Sequence, residues 1–259
     1  MKLQPKINAS NLDSADDSSR SLFPSWVRPL LTISKDFNSK GYTILKNYLT
    51  PRERESFKKQ IINLYNKKLD KKINEKNLDK IITSYEKNGH YDELYKVFLE
   101  ITKMSSFSEI SKRLKKLTKF LFDKKSESIT NGITIGIKNH NRTSYEWHQE
   151  KPYYKKISTI HFQFPIFREC NKSNGTMSVL SSSHKYGYIS DVRNRILGKK
   201  HINSFIPKKI NYFKKNLKEK YINMKLGDMV IFHENLIHKS NKNNTNKIRF
   251  AGIVRLKLY

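Results

Sequence analysis

The residues best suited to chemistry are His148-Gln149-Glu150, then His238 ninety residues further on, and Arg249 eleven beyond that. Two imidazoles and one carboxylate can occupy one face of an octahedral metal and leave three positions open, the ligand set of non-haem Fe(II). A guanidinium can grip a carboxylate through two parallel hydrogen bonds, so Arg249 suits a dicarboxylate cosubstrate. Together these residues point to an oxygenase that consumes 2-oxoglutarate. His148 and Glu150 are two apart, and in an extended strand such residues face the same way, so one strand end can offer both to a metal. His238 must arrive through the fold. An H-x-E triplet alone is weak, because most are accidents of surface sequence.

The elements that would position these residues change in character along the chain. Gly41–Leu45 reads as a short strand. Thr50-Pro51-Arg52-Glu53 opens a helix, with Thr50 to cap, Pro51 at the first helical position and Glu53 to complete a capping box. Phe57, Ile61, Leu64 and Tyr65 follow at helical spacing, and apolar stripes continue from Glu75 to Lys124, broken at Asn88-Gly89. After Ser126 short strands take over: Ile133–Ile137, Ile157–Phe164, Thr176–Leu180, His201–Ile206, Tyr221–Leu226, Met229–Phe232 and Ile248–Leu258. Short strands between polar turns predict a sandwich or jelly roll. The expected fold class is α+β with a mainly β core: a double-stranded β-helix, cupin-like, with a helical N-terminal half packed on it. The expected organisation is a polar, disordered tail over 1–21 and one domain over 22–259, helical to about 125 and jelly roll from about 126.

Composition narrows the function classes. The 259 residues, 36% hydrophobic, suffice for one domain with a core. No stretch resembles a signal peptide or is long enough to cross a bilayer. The single cysteine, Cys170, excludes an intramolecular disulfide, a zinc ribbon and a cysteine-ligated iron–sulfur cluster. It fits a cytoplasmic location, and Cys170 reads as a passive loop residue. The net charge of +29 would attract polyanions. Its lysines are spread over the whole chain, however, with no zinc-finger spacing, RNP-like strand or helix-turn-helix pattern, so no dedicated nucleic-acid site is expected. The charge leaves open an anionic substrate carrying a phosphate, carboxylate or coenzyme A group.

Four blocks then align. Trp147-His148-Gln149-Glu150 is followed by Asn174-Gly175-Thr176-Met177-Ser178-Val179-Leu180-Ser181-Ser182-Ser183-His184, by Gly227-Asp228-Met229-Val230-Ile231-Phe232, and by His238-Lys239-Ser240 with Asn243 or Asn244, Thr245 and Arg249. In order and approximate spacing, from about Phe37 to Leu256, the chain resembles the phytanoyl-CoA dioxygenase family of Fe(II)- and 2-oxoglutarate-dependent oxygenases. The resemblance implies that His148, Glu150 and His238 ligate iron. It implies that Arg249 binds the distal carboxylate of 2-oxoglutarate with Ser240 donating a hydrogen bond to it, and that Lys138 contacts cosubstrate or substrate. Gln149, Trp147, Tyr153, Phe162 and Phe164 would line the substrate pocket, with no catalytic group beyond the metal centre.

Two departures stand out. Glu150 occupies the position where the family usually has Asp, and one more methylene must be absorbed to keep a metal bond near about 2 Å. A carboxylate there argues against the halogenase-like members, which have a small residue. Ser181-Ser182-Ser183 replaces the family's Pro-Gly-Ser turn. The implied activity is hydroxylation of an unactivated C–H of a small molecule with O2, releasing succinate and CO2. Desaturation or cyclisation on the same scaffold is not separable by sequence. The competing expectation is a catalytically inactive jelly-roll module that binds an anionic ligand. Of the remaining histidines, His184 reads as structural, His233 as an alternative ligand on spacing alone, His161 as a pocket or core residue, and His90, His140 and His201 as loop residues.

Overall fold

The computed structural model describes residues 27–138, 145–154, 156–195 and 203–259; the expected tail, His140 and His201 lie outside them. A first helix, α1 (Val27–Lys40), ends at Gly41, whose φ of 83° turns the chain into β1 (Tyr42–Leu45). At the start of α2 (Pro51–Leu69) the Thr50 hydroxyl accepts the Glu53 N–H and the Glu53 carboxylate accepts the Thr50 N–H, the capping box that the sequence predicts. Helices α3 (Leu78–Lys87), α4 (Tyr91–Ile101) and α5 (Ser105–Phe122) follow, with the break between α3 and α4 at Asn88-Gly89.

The strands after α5 are β2 (Ser126–Gly136), β3 (Ser158–Pro165), β4 (Met177–Leu180), β5 (Asp191–Arg195) and β6 (Asn203–Pro207). A short helix α6 (Ile210–Asn216) leads to β7 (Glu219–Tyr221), β8 (Met229–His233), β9 (His238–Ser240) and β10 (Arg249–Leu258). They form an antiparallel five-stranded sheet in the order β1-β8-β3-β10-β2, a three-stranded sheet β7-β4-β9 and a hairpin β5-β6. The N-terminal part of the chain thus supplies an edge strand as well as helices. The stretch expected as a strand over Tyr221–Leu226 pairs only through Glu219–Tyr221, after which Met224 bridges Cys170. The polar, Lys-rich runs around β5 and α6, and the three residues of β9, carry too little apolar period to announce themselves.

The large sheet has two different faces. Phe164 meets Phe57 and Phe107 of the helical layer, and Ile160 and Phe162 are buried in the same cluster, as are Leu256 and Val254 of β10. Gly252, paired with Phe164 across the sheet, leaves room for that ring: a Cβ there would lie 2.3 Å from it. The opposite face meets the small sheet: Val230, Phe232 and Ala251 share a second cluster with Met177, Val179, Ile222 and Met224. Phe162 and Phe164 therefore belong to the helical core and not to a substrate pocket, which corrects the expectation for both. The period-two alternation of β3 directs Thr159, His161 and Gln163 to the other face.

Candidate metal centre

The first two ligand candidates and the third are joined through the backbone. His148 N–H donates to His238 O at 2.9 Å, and His238 N–H donates back to His148 O at 3.0 Å. Glu150 N–H donates to Glu234 O at 2.9 Å, so the residues from 148 to 150 run as an extra strand beside the turn from β8 to β9. In consequence, donor atoms of His148, Glu150 and His238 lie within 4.8 Å of one another, and all three residues are buried.

Hydrogen-bond accounting sets the tautomers. His148 Nδ1 lies 2.6 Å from Glu146 O and His238 Nδ1 lies 2.9 Å from Leu236 O. A carbonyl only accepts, so both Nδ1 atoms carry the proton and both Nε2 atoms present lone pairs. Burial, reinforced by His238, pulls the His148 pKa down to about 4, so the ring is a neutral donor at neutral pH. Burial pushes the Glu150 carboxyl up, but Arg255, His161 and His238 outweigh it and hold the group well below the usual carboxylate range. A neutral His148, a second imidazole whose Nδ1 proton is turned to a carbonyl, and one ionised carboxylate match the donor chemistry that a divalent iron requires.

Arg249 opens β10 opposite Gly136, where a Cβ would lie 3.1 Å from its Nε. Its side chain is fully buried. Nη1 reaches Thr134 Oγ1 at 3.4 Å, whereas Nε and Nη2 have no hydrogen-bond partner among the described residues. A buried guanidinium in this condition is costly unless an anion completes it, and a carboxylate of 2-oxoglutarate fits that need.

A cavity of about 650 Å³ adjoins the triad. His148, Glu150, His238, Ser240 and Tyr153 line it, together with Arg255. Tyr153 packs edge-on against His148 and against Phe205. The other expected contacts are elsewhere. Gln149 is a latch: its amide N–H groups donate to Gly187 O and Asn235 O, and its Oε1 accepts Ile189 N–H. Trp147 packs with Leu180, Phe213 and Ile237 under the Lys239 ammonium. Lys138 is exposed, its ammonium 2.8 Å from Asn246 Oδ1. All three are absent from the cavity wall because strand alternation or a surface turn directs them away from it.

His233 accepts Asn235 N–H on Nδ1 and so is not a ligand in this arrangement, and His184 is bonded through Nε2 to Asn38 O. Burial pushes the Cys170 thiol up to about 11, consistent with a passive residue.

Two residues near the triad escaped the sequence reading in their particulars. Arg255 is the cross-strand neighbour of His161, and both face Glu150: Arg255 Nη2 is 3.6 Å from Oε1 and His161 Nδ1 is 3.9 Å from Oε2. Glu234 accepts the Thr159 hydroxyl at 3.0 Å, so Thr159 Oγ1 must accept the His161 Nε2 proton at 2.8 Å. That leaves the His161 Nδ1 lone pair aimed at the centre, and burial holds the ring neutral, with a pKa of about 3. The available signal was spacing: Arg249 and Arg255 are six apart on one strand and therefore share a face.

A two-sheet β fold with two histidines and a carboxylate converging at one end defines the class of non-haem Fe(II)/2-oxoglutarate-dependent oxygenases. The chain belongs to the phytanoyl-CoA dioxygenase (PhyH) family, whose model matches residues 37–251. None of the curated proteins matches the chain by sequence alone. Among solved structures, the epimerase SnoN in complex with Fe3+, alpha ketoglutarate and nogalamycin RO is 10% identical, with a TM-score of 0.62 over 89% of this chain and 84% of that one. EctD from S. alaskensis with bound Fe is 15% identical, with a TM-score of 0.59 over 91% of this chain and 76% of that one. The ThoJ-Ni complex, a non-haem monooxygenase, is 14% identical, with a TM-score of 0.55 over 87% and 77%. At these identities the likeness is one of fold.

Proposed function

We propose that the protein is an Fe(II)- and 2-oxoglutarate-dependent dioxygenase that hydroxylates an unactivated C–H of a small molecule, with a double-stranded β-helix as its scaffold. The observation that carries this reading is the pairing of a preset His148–Glu150–His238 donor set with a buried, incompletely bonded Arg249. An inactive binding module would have no use for both. In this reading His148 and His238 offer Nε2 and Glu150 a carboxylate oxygen to iron. Arg249 takes the distal carboxylate of 2-oxoglutarate, with Ser240 at the cavity wall as a further donor. When bound, the iron and 2-oxoglutarate supply the oxidising power through reaction with O2, yielding succinate and CO2. The chain orients the substrate, and Tyr153 with the apolar wall excludes water. SnoN and EctD, solved with iron, support the cofactor assignment. A cytoplasmic location belongs to the same reading; among the described residues no helix is long and apolar enough to cross a membrane.

The test is an anaerobic titration of apoprotein with Fe(II) and 2-oxoglutarate, followed by the visible metal-to-ligand charge-transfer band, with succinate release measured on admitting air. The expected result is a saturable band that needs both components. A parent protein with no band at saturation would overturn the assignment in favour of the binding module.

A further inference from the structure

Among the described residues Arg255 has one carboxylate neighbour, and it is a metal-ligand candidate. Its Nη2 lies 3.6 Å from Glu150 Oε1, and the same oxygen lies 3.6 Å from His238 Nε2. One oxygen thus faces both the guanidinium and the metal position. A metal that draws on Oε1 weakens its hold on Arg255, which stays charged at any physiological pH. Arg255 Nε is buried without a hydrogen-bond partner among the described residues. Its other electrostatic neighbours among the described residues include Tyr145, Tyr153, Tyr154, His148 and His161, none of them a carboxylate. The other carboxylate on the cavity wall, Glu86, belongs to the α3 end, where its charge acts on Tyr65.

The charge count runs the same way. Arg249, bonded to Thr134 of the cavity wall, and Arg255, on that wall, exceed the triad's own carboxylate, Glu150, by one positive charge. A divalent metal and a 2-oxoglutarate dianion cancel each other, so loading the centre leaves that excess in place. A low-dielectric cavity does not tolerate an unpaired cation cheaply. Arg255 lines the cavity, and the rest of the wall includes Phe98, Ile135, Met177, Phe232 and Ile253.

Resting on the assignment of an Fe(II)/2-oxoglutarate centre, we propose that Arg255 is the substrate anchor, and that the substrate has an apolar body carrying one carboxylate or phosphate that pairs with this guanidinium. Arg249 and Arg255 then divide the work on one strand face: the first takes the cosubstrate's carboxylate, the second the substrate's anion. The bond to be oxidised lies on the substrate's apolar part, and this geometry selects anionic molecules over their neutral analogues.

The experiment uses the anaerobic Fe(II)/2-oxoglutarate complex of the whole protein and reads the shift of its charge-transfer band on adding hexanoate, hexyl phosphate or neutral hexanamide. One anion should bind at least about tenfold more tightly than the amide, the range expected for a charge-assisted hydrogen bond; which anion does so separates carboxylate from phosphate substrates. In Arg255→Gln the band should remain while the preference disappears, and in Arg255→Lys part of the preference should return. Equal binding of anions and amide by the parent overturns the proposal, as does a preference that survives Arg255→Gln. Loss of the band itself in Arg255→Gln, with the fold intact by circular dichroism, also overturns it, because Arg255 would then act by holding Glu150. A parent protein with no band overturns the metal-centre assignment instead, and the anchor falls with it.

Discussion

The two faces of β3 and β10 are built from neighbouring residues and do opposite things. On the helical face, Ile160, Phe162, Phe164, Val254 and Leu256 are buried among apolar side chains and supply cohesion. On the other face, one residue out of phase, Thr159, His161, Gln163 and Arg249 bury polar and charged groups in a mostly apolar surround, with Arg255 half-buried beside them, which costs stability unless partners are supplied. The first face holds the second rigid enough to keep its geometry. A one-residue slip in register would exchange them, so the fold specifies this register strongly.

The widest separation between the faces should come from a paired substitution. His148→Ala should abolish the charge-transfer band while leaving the melting temperature of the apoprotein unchanged or raised. Phe164→Ala should cost about 3–5 kcal/mol of stability, as expected for loss of a buried ring, while protein that remains folded still binds metal. Denaturant melts and the titration together read both; a band in His148→Ala would break the assignment of the polar face.

A smaller effect is expected at Gly136. A Cβ there would crowd Arg249 Nε at 3.1 Å. Gly136→Ala should therefore weaken 2-oxoglutarate binding by roughly tenfold, about 1.4 kcal/mol, with Fe(II) affinity preserved. Isothermal titration of each component separates the two, and equal losses in both would show a general disturbance of the sheet.

The polar face should also make the apoprotein acid-sensitive. Burial lowers His148 to about 4, and His161 and His233 each to about 3, from the ordinary 6.5. Below pH 6.5 the unfolded chain takes up protons that the folded chain refuses. The stability present above pH 6.5 is thus lost as pH falls toward 4, at up to about 1.4 kcal/mol per pH unit for each histidine. Depressed Glu150 acts in the same direction at lower pH. Melts between pH 7.5 and 4.5 test this, and a flat profile would deny that these rings are buried neutral. Least of all should happen at Lys138: Lys138→Ala, at an exposed residue bonded to Asn246, should change cosubstrate affinity less than about twofold, in keeping with a surface substitution.

Much of the centre was legible because its chemistry is carried by rare residue types at fixed spacings. The H-x-E pair needed only strand geometry, and the capping box at Thr50 needed only local chemistry. The pocket was harder. Phe162 and Phe164 are aromatic and close in sequence to the ligands, but alternation alone does not say which face of a strand looks at the helices and which at the metal. That is decided by pairings such as Gly252 with Phe164 and Arg255 with His161, made across nearly one hundred residues of chain. Gln149 shows the same limit: a side chain between two ligand candidates on one extended segment must point the other way, and here it ties down the segment around Gly187 and Ile189.

The way the imidazoles are held has an evolutionary consequence. His148 and His238 are oriented by main-chain carbonyls of residues 146 and 236, which every amino acid possesses. No side-chain replacement at those positions removes the acceptor, so the neighbours of the two histidines are free to drift without scrambling the tautomers. His161 depends instead on the hydroxyl of Thr159 and the carboxylate of Glu234. A single nucleotide change at either codon could turn its lone pair away from the centre. Descendants of this chain can therefore retune that third nitrogen cheaply while the two-histidine frame stays fixed.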